Sequence, residues 1–221
     1  MNYYQQNPFQ QAHVTRNLLY LNVACFAVSL LFEGAMGIDL NRILGMYLWE
    51  SPNFKPFQLV THIFMHGSLM HIFFNMFTLY MFGPLIELRL GPKRYFFYYF
   101  FTALGAAFLF NLTSTYEAAA IAADHNVSTA EIVSMMPPVV GASGAIYGLL
   151  LAFGLFYPNQ LLYIYFVMPI KAKYLVLIFA IFELVMGLQH NPQNNIAHFA
   201  HLGGMLFGFL LIKYWQHKKT I

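Results

Sequence analysis

The sequence predicts an all-α polytopic membrane protein, a bundle of six transmembrane helices. Of its 221 residues, 59% are hydrophobic and 9% are charged, whereas a soluble domain carries about 25% charged residues. Several runs approach the roughly 20 apolar residues that cross a bilayer core. The Lys and Arg residues lie mostly at alternate ends of these runs, which agrees with the excess of positive charge in short cytoplasmic loops. The net charge is +3. Because the positively charged residues lie in the loops between the apolar runs, this charge does not indicate nucleic-acid binding.

The six predicted spans follow the apolar runs along the chain. They cover residues 17–36, 64–86, 94–115, 140–158, 170–188 and 197–214. Nine of the eleven Lys and Arg residues then lie on one side, which we assign to the cytoplasm with both termini. This gives one membrane domain, 17–214, between cytoplasmic tails 1–16 and 215–221. The minimal six-span form favours a bacterial inner (plasma) membrane.

Two connections between spans are long enough to hold structure of their own. The segment 37–63 is apolar for a loop and carries Trp49, so we expect it to lie against the membrane interface. The segment 116–136 contains Ser128 followed three residues later by Glu131. This capping-box pattern predicts a short helix there.

A serine flanked by small residues opens the fourth span. The motif Gly141-Ala142-Ser143-Gly144 alone favours close helix packing, the common use of such spacing in lipid. A second motif, Ala197-His198-Phe199-Ala200-His201, opens the sixth span. It supplies a candidate general base, His201, for Ser143 as nucleophile. The predicted orientation puts both residues in the outer half of the bilayer.

Span 2 carries a candidate pair of hydrogen-bond donors. His71 and Asn75 are four residues apart, share a helical face and form a candidate oxyanion hole. No Asp or Glu lies near either motif, so we expect a Ser-His pair without a carboxylate. Tyr147, one turn after Ser143, is predicted to hold the His201 ring by stacking.

Other polar residues in apolar runs have competing interpretations. His62 and His66, four residues apart, have a spacing that suits zinc. They lack the glutamate of an H-E-x-x-H metalloprotease, so we favour hydrogen bonds to the first loop and predict no metal or cofactor. Glu183 has no obvious partner and is placed at a substrate gate or in interfacial water. The one cysteine, Cys25, excludes an intrachain disulfide.

Four motifs in order resemble the rhomboid family of intramembrane serine proteases, over residues 62–208. They are HIFMHGSLMHIFFN at 62–75, GPLIELRLG at 83–91, GASGAIYG at 141–148 and AHLGGMLFG at 200–208. The resemblance implies a Ser143-His201 dyad with an oxyanion hole from His71, Asn75 and the Ser143 backbone N–H. It also implies that span 4 is a short central helix, with Ser143 at the floor of a water-filled cavity open to the outside.

The resemblance also implies supporting roles. In the family pattern the catalytic histidine follows alanine and lies three residues before glycine, which fits His201 and leaves His198 a structural or cavity-rim role. Glycines support the site and, on span 6, allow close approach to span 4: Gly141, Gly144, Gly204 and Gly208. Glu87 and Arg89 resemble a structural cluster that anchors loops. Phe57-Gln58 stands where many members have Trp-Arg, so we expect the first loop to be held differently.

The predicted function is hydrolysis of peptide bonds in or near transmembrane segments of other membrane proteins. The expected partners are such substrates and the lipid bilayer, and a monomer suffices. One alternative is a non-enzymatic relative that binds membrane proteins and steers their degradation or trafficking. A second is a transporter or channel that moves protons through the buried histidines. The apolar inner halves of spans 4 and 6 argue against that second alternative.

Overall fold

The computed structural model describes residues 7–164, 168–189 and 197–221, so the first six residues of the predicted tail 1–16 lie outside it. The elements follow in chain order. They are α1 (Pro8–Gln11), α2 (His13–Met36), α3 (Leu40–Leu44), α4 (Gln58–Thr61), a 3-10 turn (His62–Phe64), α5 (Leu69–Leu90), α6 (Pro92–His125), α7 (Thr129–Met135), α8 (Ser143–Phe156), β1 (Leu161–Ile164), β2 (Met168–Lys171), α9 (Ala172–Leu188) and α10 (His198–His217).

The helices form a bundle with an apolar exterior, as expected of an integral membrane protein. Among the described residues, α2, α5 and α6 have the length and composition to cross a bilayer, and α8 is a shorter apolar helix. Large apolar side chains such as Leu31, Phe73 and Leu177 are exposed on the outside of the bundle. The helical fold class is therefore as predicted. The count of six crossings and the cytoplasmic placement of the termini stay predictions.

Several element boundaries differ from the predicted spans. Helix α5 begins at Leu69 rather than at residue 64, because residues 62–64 form the 3-10 turn and Ser68 caps the helix. Helix α6 runs past the predicted end at residue 115 to His125, since alanine-rich sequence continues the helix. The capping box predicted for α7 is present, with the Ser128 hydroxyl accepting from the Glu131 backbone N–H at 3.2 Å.

An antiparallel hairpin, which the sequence did not reveal, precedes α9. Leu161 of β1 lies opposite Lys171 of β2, and Ile164 lies opposite Met168. The hairpin takes up the first two residues of the predicted fifth span, so α9 begins at Ala172.

Glycines bring α8 against its neighbours at the centre of the bundle. A Cβ atom on Gly204 of α10 would lie 1.9 Å from the carbonyl oxygen of Gly144 in α8. A Cβ on Gly144 would in turn lie 2.4 Å from the Cβ of Ala106 in α6. The three helices therefore approach more closely than any larger residue allows.

Gly208 lets α10 approach α6. A Cβ atom there would meet the hydroxyl oxygen of Tyr98 at 2.4 Å and the Thr102 side chain at 3.2 Å, both in α6. The expectation that Gly208 also allows close approach to α8 stays a prediction.

The Gln58 side chain stabilises the segment between α2 and α5 with three hydrogen bonds. Its buried side-chain amide donates to the carbonyl oxygens of Ile43 at 3.1 Å and Asn53 at 3.3 Å, and its oxygen accepts from the Lys55 N–H at 3.0 Å. A neutral amide thus ties together three parts of the first loop.

Glu87 anchors the start of α2 to α5. Its carboxylate accepts hydrogen bonds from the backbone N–H groups of Val14 and Thr15, at 3.0 and 2.7 Å, and from the Thr15 hydroxyl at 2.8 Å. Arg89, two residues later, is exposed and lies over the ring of Phe156. Both residues thus contact neighbouring elements on the side of the bundle remote from Ser143.

We predict that Gly204→Ala separates α8 from α10, because the added methyl group meets the Gly144 carbonyl. The unfolding free energy should fall by about 1–3 kcal/mol, as for other overpacked cores, with a lower melting temperature and slower reaction of Ser143 with a fluorophosphonate. The matched control is Gly34→Ala in α2, where a Cβ has nothing within 4 Å. Equal melting temperatures for the two variants would contradict the close-packing interpretation.

Candidate active site

Ser143 and His201 meet where α8 and α10 begin. Ser143 is the first residue of α8, and His201 lies in the first turn of α10. The Ser143 Oγ and the His201 Nε2 are 2.9 Å apart although the residues are 58 positions apart in sequence. This is hydrogen-bond distance for a nucleophile and its general base.

Tyr147 holds the plane of the histidine ring. The Tyr147 and His201 rings are stacked, with centroids 4.2 Å apart and planes 6° apart. The stacking predicted from the sequence is therefore present. Because Tyr147 lies one turn after Ser143, α8 supplies both the hydroxyl group and the surface that orients the imidazole.

A carboxylate lies beside the histidine, contrary to the sequence expectation. Glu183 of α9 is buried, and its Oε1 lies 3.1 Å from His201 Nδ1. The Tyr147 hydroxyl donates to the same carboxylate oxygen. The expectation of a site without a nearby acid, and of a gate or interfacial position for Glu183, is thus wrong. The available signal was a lone acid in an apolar run, which marks a functional position by default.

His198 completes this polar cluster from the start of α10. Its Nδ1 lies 2.5 Å from Glu183 Oε2, and the side chain is buried. His198 therefore has a structural place against Glu183, and it is His201 whose Nε2 reaches Ser143. The structure thus separates the two histidines of the motif by their contacts.

The candidate oxyanion donors face a cavity of about 770 Å³ that Ser143 and His201 also line. His71 and Asn75 line it from α5. The Asn75 Nδ2 is buried and has no hydrogen-bond partner among the described residues, which leaves a donor available to a bound group. The first N–H groups of a helix lack intrahelical acceptors and carry a partial positive charge. Ser143 is the first residue of α8, so its backbone N–H is one of these groups.

The strand-like segment before Ser143 is tied to the first loop. The N–H of Gly141 donates to the His62 carbonyl at 2.9 Å, and Met46 and Val139 exchange backbone hydrogen bonds of 2.9 and 2.8 Å. Gly141 has φ +124°, and a Cβ there would lie 2.6 Å from His71 Nε2. Only glycine meets both demands, so Gly141 leaves room for the His71 ring beside the segment that leads into α8.

The first two histidines of the 62–75 motif are buried next to the first loop. His62 Nδ1 lies 2.7 Å from the Gln58 carbonyl oxygen, and burial lowers the pKa of this side chain to about 4. The His66 and His71 rings form a T-shaped pair, with centroids 5.0 Å apart. The expected hydrogen bond to the first loop is present for His62, whereas neither ring nitrogen of His66 has a hydrogen-bond partner among the described residues.

Among the described residues, the group whose ligand atoms are close enough to hold a metal ion is Glu183, His198 and His201, with all three atoms within 4.8 Å. Direct imidazole–carboxylate contacts account for these short distances without an ion. The prediction that the site works without metal stays a prediction.

Comparison with known proteins yields matches over most of the chain. Residues 53–217 match the family model described as the Rhomboid domain. RHOMBOID-like protein 12, mitochondrial, of Arabidopsis thaliana is 32% identical over 73% of this chain and 48% of its own length. The Bacillus subtilis (strain 168) protein named "Putative rhomboid protease YdcA" is 28% identical over 73% of this chain and 70% of its own. RHOMBOID-like protein 1 of Arabidopsis thaliana is 29% identical over 88% of this chain and 51% of its own length.

We predict that Gly141→Ala abolishes the reactivity of Ser143 toward a fluorophosphonate, because the new methyl group displaces the His71 ring and strains the backbone. The matched control is Gly37→Ala, which has φ +65° but nothing within 4 Å of its Cβ. It carries only the backbone strain, of order 1–3 kcal/mol. Labelling rates measured on folded protein should differ sharply, and equal rates would contradict the role given to Gly141.

Proposed function

The chain belongs to the rhomboid family, and we propose that it is an intramembrane serine endopeptidase that cleaves other membrane proteins in or near their transmembrane segments. The observation that carries the proposal is the 2.9 Å contact between Ser143 Oγ and His201 Nε2 at the wall of a cavity large enough for a peptide segment. The curated relatives from Arabidopsis are about twice as long as the region they share with this chain.

The proposed reaction starts with proton transfer from Ser143 to His201. Ser143 Oγ–H gives its proton to Nε2 while Oγ attacks the scissile carbonyl carbon. The imidazolium then gives that proton to the leaving amine, and the peptide bond breaks to leave an acyl ester on Ser143. Water, deprotonated by the same Nε2, hydrolyses the ester and restores the serine.

The oxyanion formed at each addition step needs donors aimed at it. We assign this role to the Asn75 amide, to His71 and to the Ser143 backbone N–H. Asn75 offers a buried donor without a protein acceptor. The start of α8 adds the positive end of a helix dipole. Preorganised donors of this kind stabilise a transition state more than a ground state.

The proposed substrate class follows from the position of the site inside a membrane protein. A peptide carbonyl in a transmembrane helix is hydrogen-bonded within that helix, so the segment must unwind before Ser143 reaches it. Substrates should therefore carry small or helix-destabilising residues near the cleaved bond. The proposal includes six crossings, cytoplasmic termini and a cavity that opens on the extracytoplasmic side, where water enters.

The direct test is cleavage of a transmembrane reporter by purified protein in detergent. Ser143→Ala and His201→Ala should each remove cleavage to background, because each removes one half of the nucleophile–base pair. The matched controls are Ser114→Ala, at a buried serine of α6, and His217→Ala, at an exposed histidine of α10. Both controls should retain activity.

Cleavage that survives Ser143→Ala but is lost with a chelator would contradict the serine mechanism. A folded wild-type protein that binds transmembrane reporters without cleaving them would instead favour a binding role.

We further predict that Asn75→Ala lowers kcat by about 10²–10³ with little change in KM, the range for loss of one oxyanion donor. The matched control is Asn22→Ala, at another buried asparagine, whose amide donates to the Leu18 carbonyl within α2 at 2.7 Å. Steady-state kinetics with the reporter should show the kcat loss for Asn75→Ala alone. A change confined to KM would contradict the assignment of Asn75 to the oxyanion hole.

A further inference from the structure

We propose that Glu183 is a positioning residue for His201, so that the working unit is Ser143, His201 and a carboxylate delivered by α9. This inference rests on the proposed protease function and adds a third member to its site. It is carried by the 3.1 Å approach of Glu183 Oε1 to His201 Nδ1, on the side of the ring opposite Ser143.

A carboxylate buried inside an apolar bundle requires compensation. Glu183 is 2% exposed, and a buried charge is costly unless it is paired and hydrogen-bonded. The hydrogen bonds come from two other helices: from the Tyr147 hydroxyl of α8 and from the His198 ring of α10. The His201 ring of α10 adds an ion-pair contact at 3.1 Å. The carboxylate is therefore held where it contacts His201.

The carboxylate selects the tautomer that the proposed reaction needs. An ionised carboxylate only accepts hydrogen bonds, so the neutral His201 ring keeps its proton on Nδ1, facing Glu183. Nε2 then presents its lone pair to the Ser143 hydroxyl 2.9 Å away. The other tautomer would place a proton between Nε2 and the hydroxyl and would leave His201 unable to act as a base.

The same contact stabilises the charge that develops on His201. When the ring takes the proton of Ser143, the imidazolium lies beside a buried carboxylate, where water screens the attraction only weakly. In the resting structure Nδ1 and Oε1 lie 3.1 Å apart without forming a hydrogen bond. Catalytic hydrogen bonds of this type tighten when the substrate is bound.

Glu183 also joins α9 to the bundle, so its test must separate two roles. The buried side chains of α9 are Ala172 and Val176 near its beginning and Glu183 near its end. Loss of the carboxylate would loosen this end of α9 even if His201 were unaffected. A fall in stability alone therefore does not support the proposal.

The experiment compares Glu183→Gln and Glu183→Asp with wild-type protein in detergent, using kcat and KM for the reporter and the rate of fluorophosphonate labelling. The matched control is Glu87→Gln, at a carboxylate of equal burial that binds the start of α2. Melting temperatures give the structural effect of each variant. The experiment proceeds once wild-type cleavage is shown to depend on Ser143, so failure of the protease proposal is recognised separately.

We expect Glu183→Gln to lower kcat and the labelling rate together by about tenfold to a hundredfold, with KM little changed. A loss of this size is no larger than the usual contribution of a general base, which Glu183 would support only indirectly. Glu183→Asp should recover part of both rates, because it restores the charge at a greater distance. Glu87→Gln should lower the melting temperature while both rates, per folded protein, stay at the wild-type value.

Two results would overturn the proposal. In the first, Glu183→Gln melts at a lower temperature but keeps the wild-type kcat and labelling rate per folded molecule. Glu183 would then only stabilise the packing of α9. In the second, Ser143-dependent cleavage by wild-type protein falls with a zinc chelator and returns with zinc, which would assign Glu183, His198 and His201 to a metal site.

Discussion

The contact between Gly204 and the carbonyl of Gly144 is the constraint on which the site depends. Without a side chain at position 204, α10 lies directly on the first turn of α8. His201 is one turn before Gly204, and Ser143 is adjacent to Gly144, so this backbone contact sets the distance between Oγ and Nε2. In lipid, where helices gain little from burying apolar surface against each other, close packing of this kind supplies much of the association.

Polar groups lie on two sides of this contact: on one side they bind each other, and on the other side a hydrogen-bond donor is left without a protein acceptor. Behind His201, the Glu183 carboxylate accepts from Tyr147, binds His198 and lies 3.1 Å from His201 Nδ1, which joins three helices. In front of Ser143, the Asn75 amide faces the cavity with a donor that no described residue accepts. The contacts with Glu183 and Tyr147 hold the His201 ring in place, and the open Asn75 donor is available to a bound group. The first loop supports the open side through the hydrogen bond from Gly141 to His62.

The sequence predicted those features that depend on local pattern. The Ser143 and His201 motifs and the helix cap at Ser128 follow from spacing within one helix or one turn. The Tyr147 stacking joins α8 to α10, and it was predictable because Tyr147 lies one turn after Ser143, the expected partner of His201. Glu183 was missed because its partners lie on two other helices, and their meeting depends on how α9 is rotated in the bundle. Most of the hairpin before α9 lies between the predicted spans 140–158 and 170–188, where the residues are mainly apolar and show no alternation typical of a half-buried strand.

The most direct test of the proposed nucleophile is to locate the covalent adduct of a fluorophosphonate by peptide mass spectrometry on the folded protein. We expect a single adduct, on the peptide that carries Ser143, because among the described residues only that serine has a histidine nitrogen within hydrogen-bond distance of its hydroxyl. Heat-denatured protein should show none. An adduct on another serine, or equal labelling of folded and denatured protein, would contradict the claim that Ser143 is an activated nucleophile.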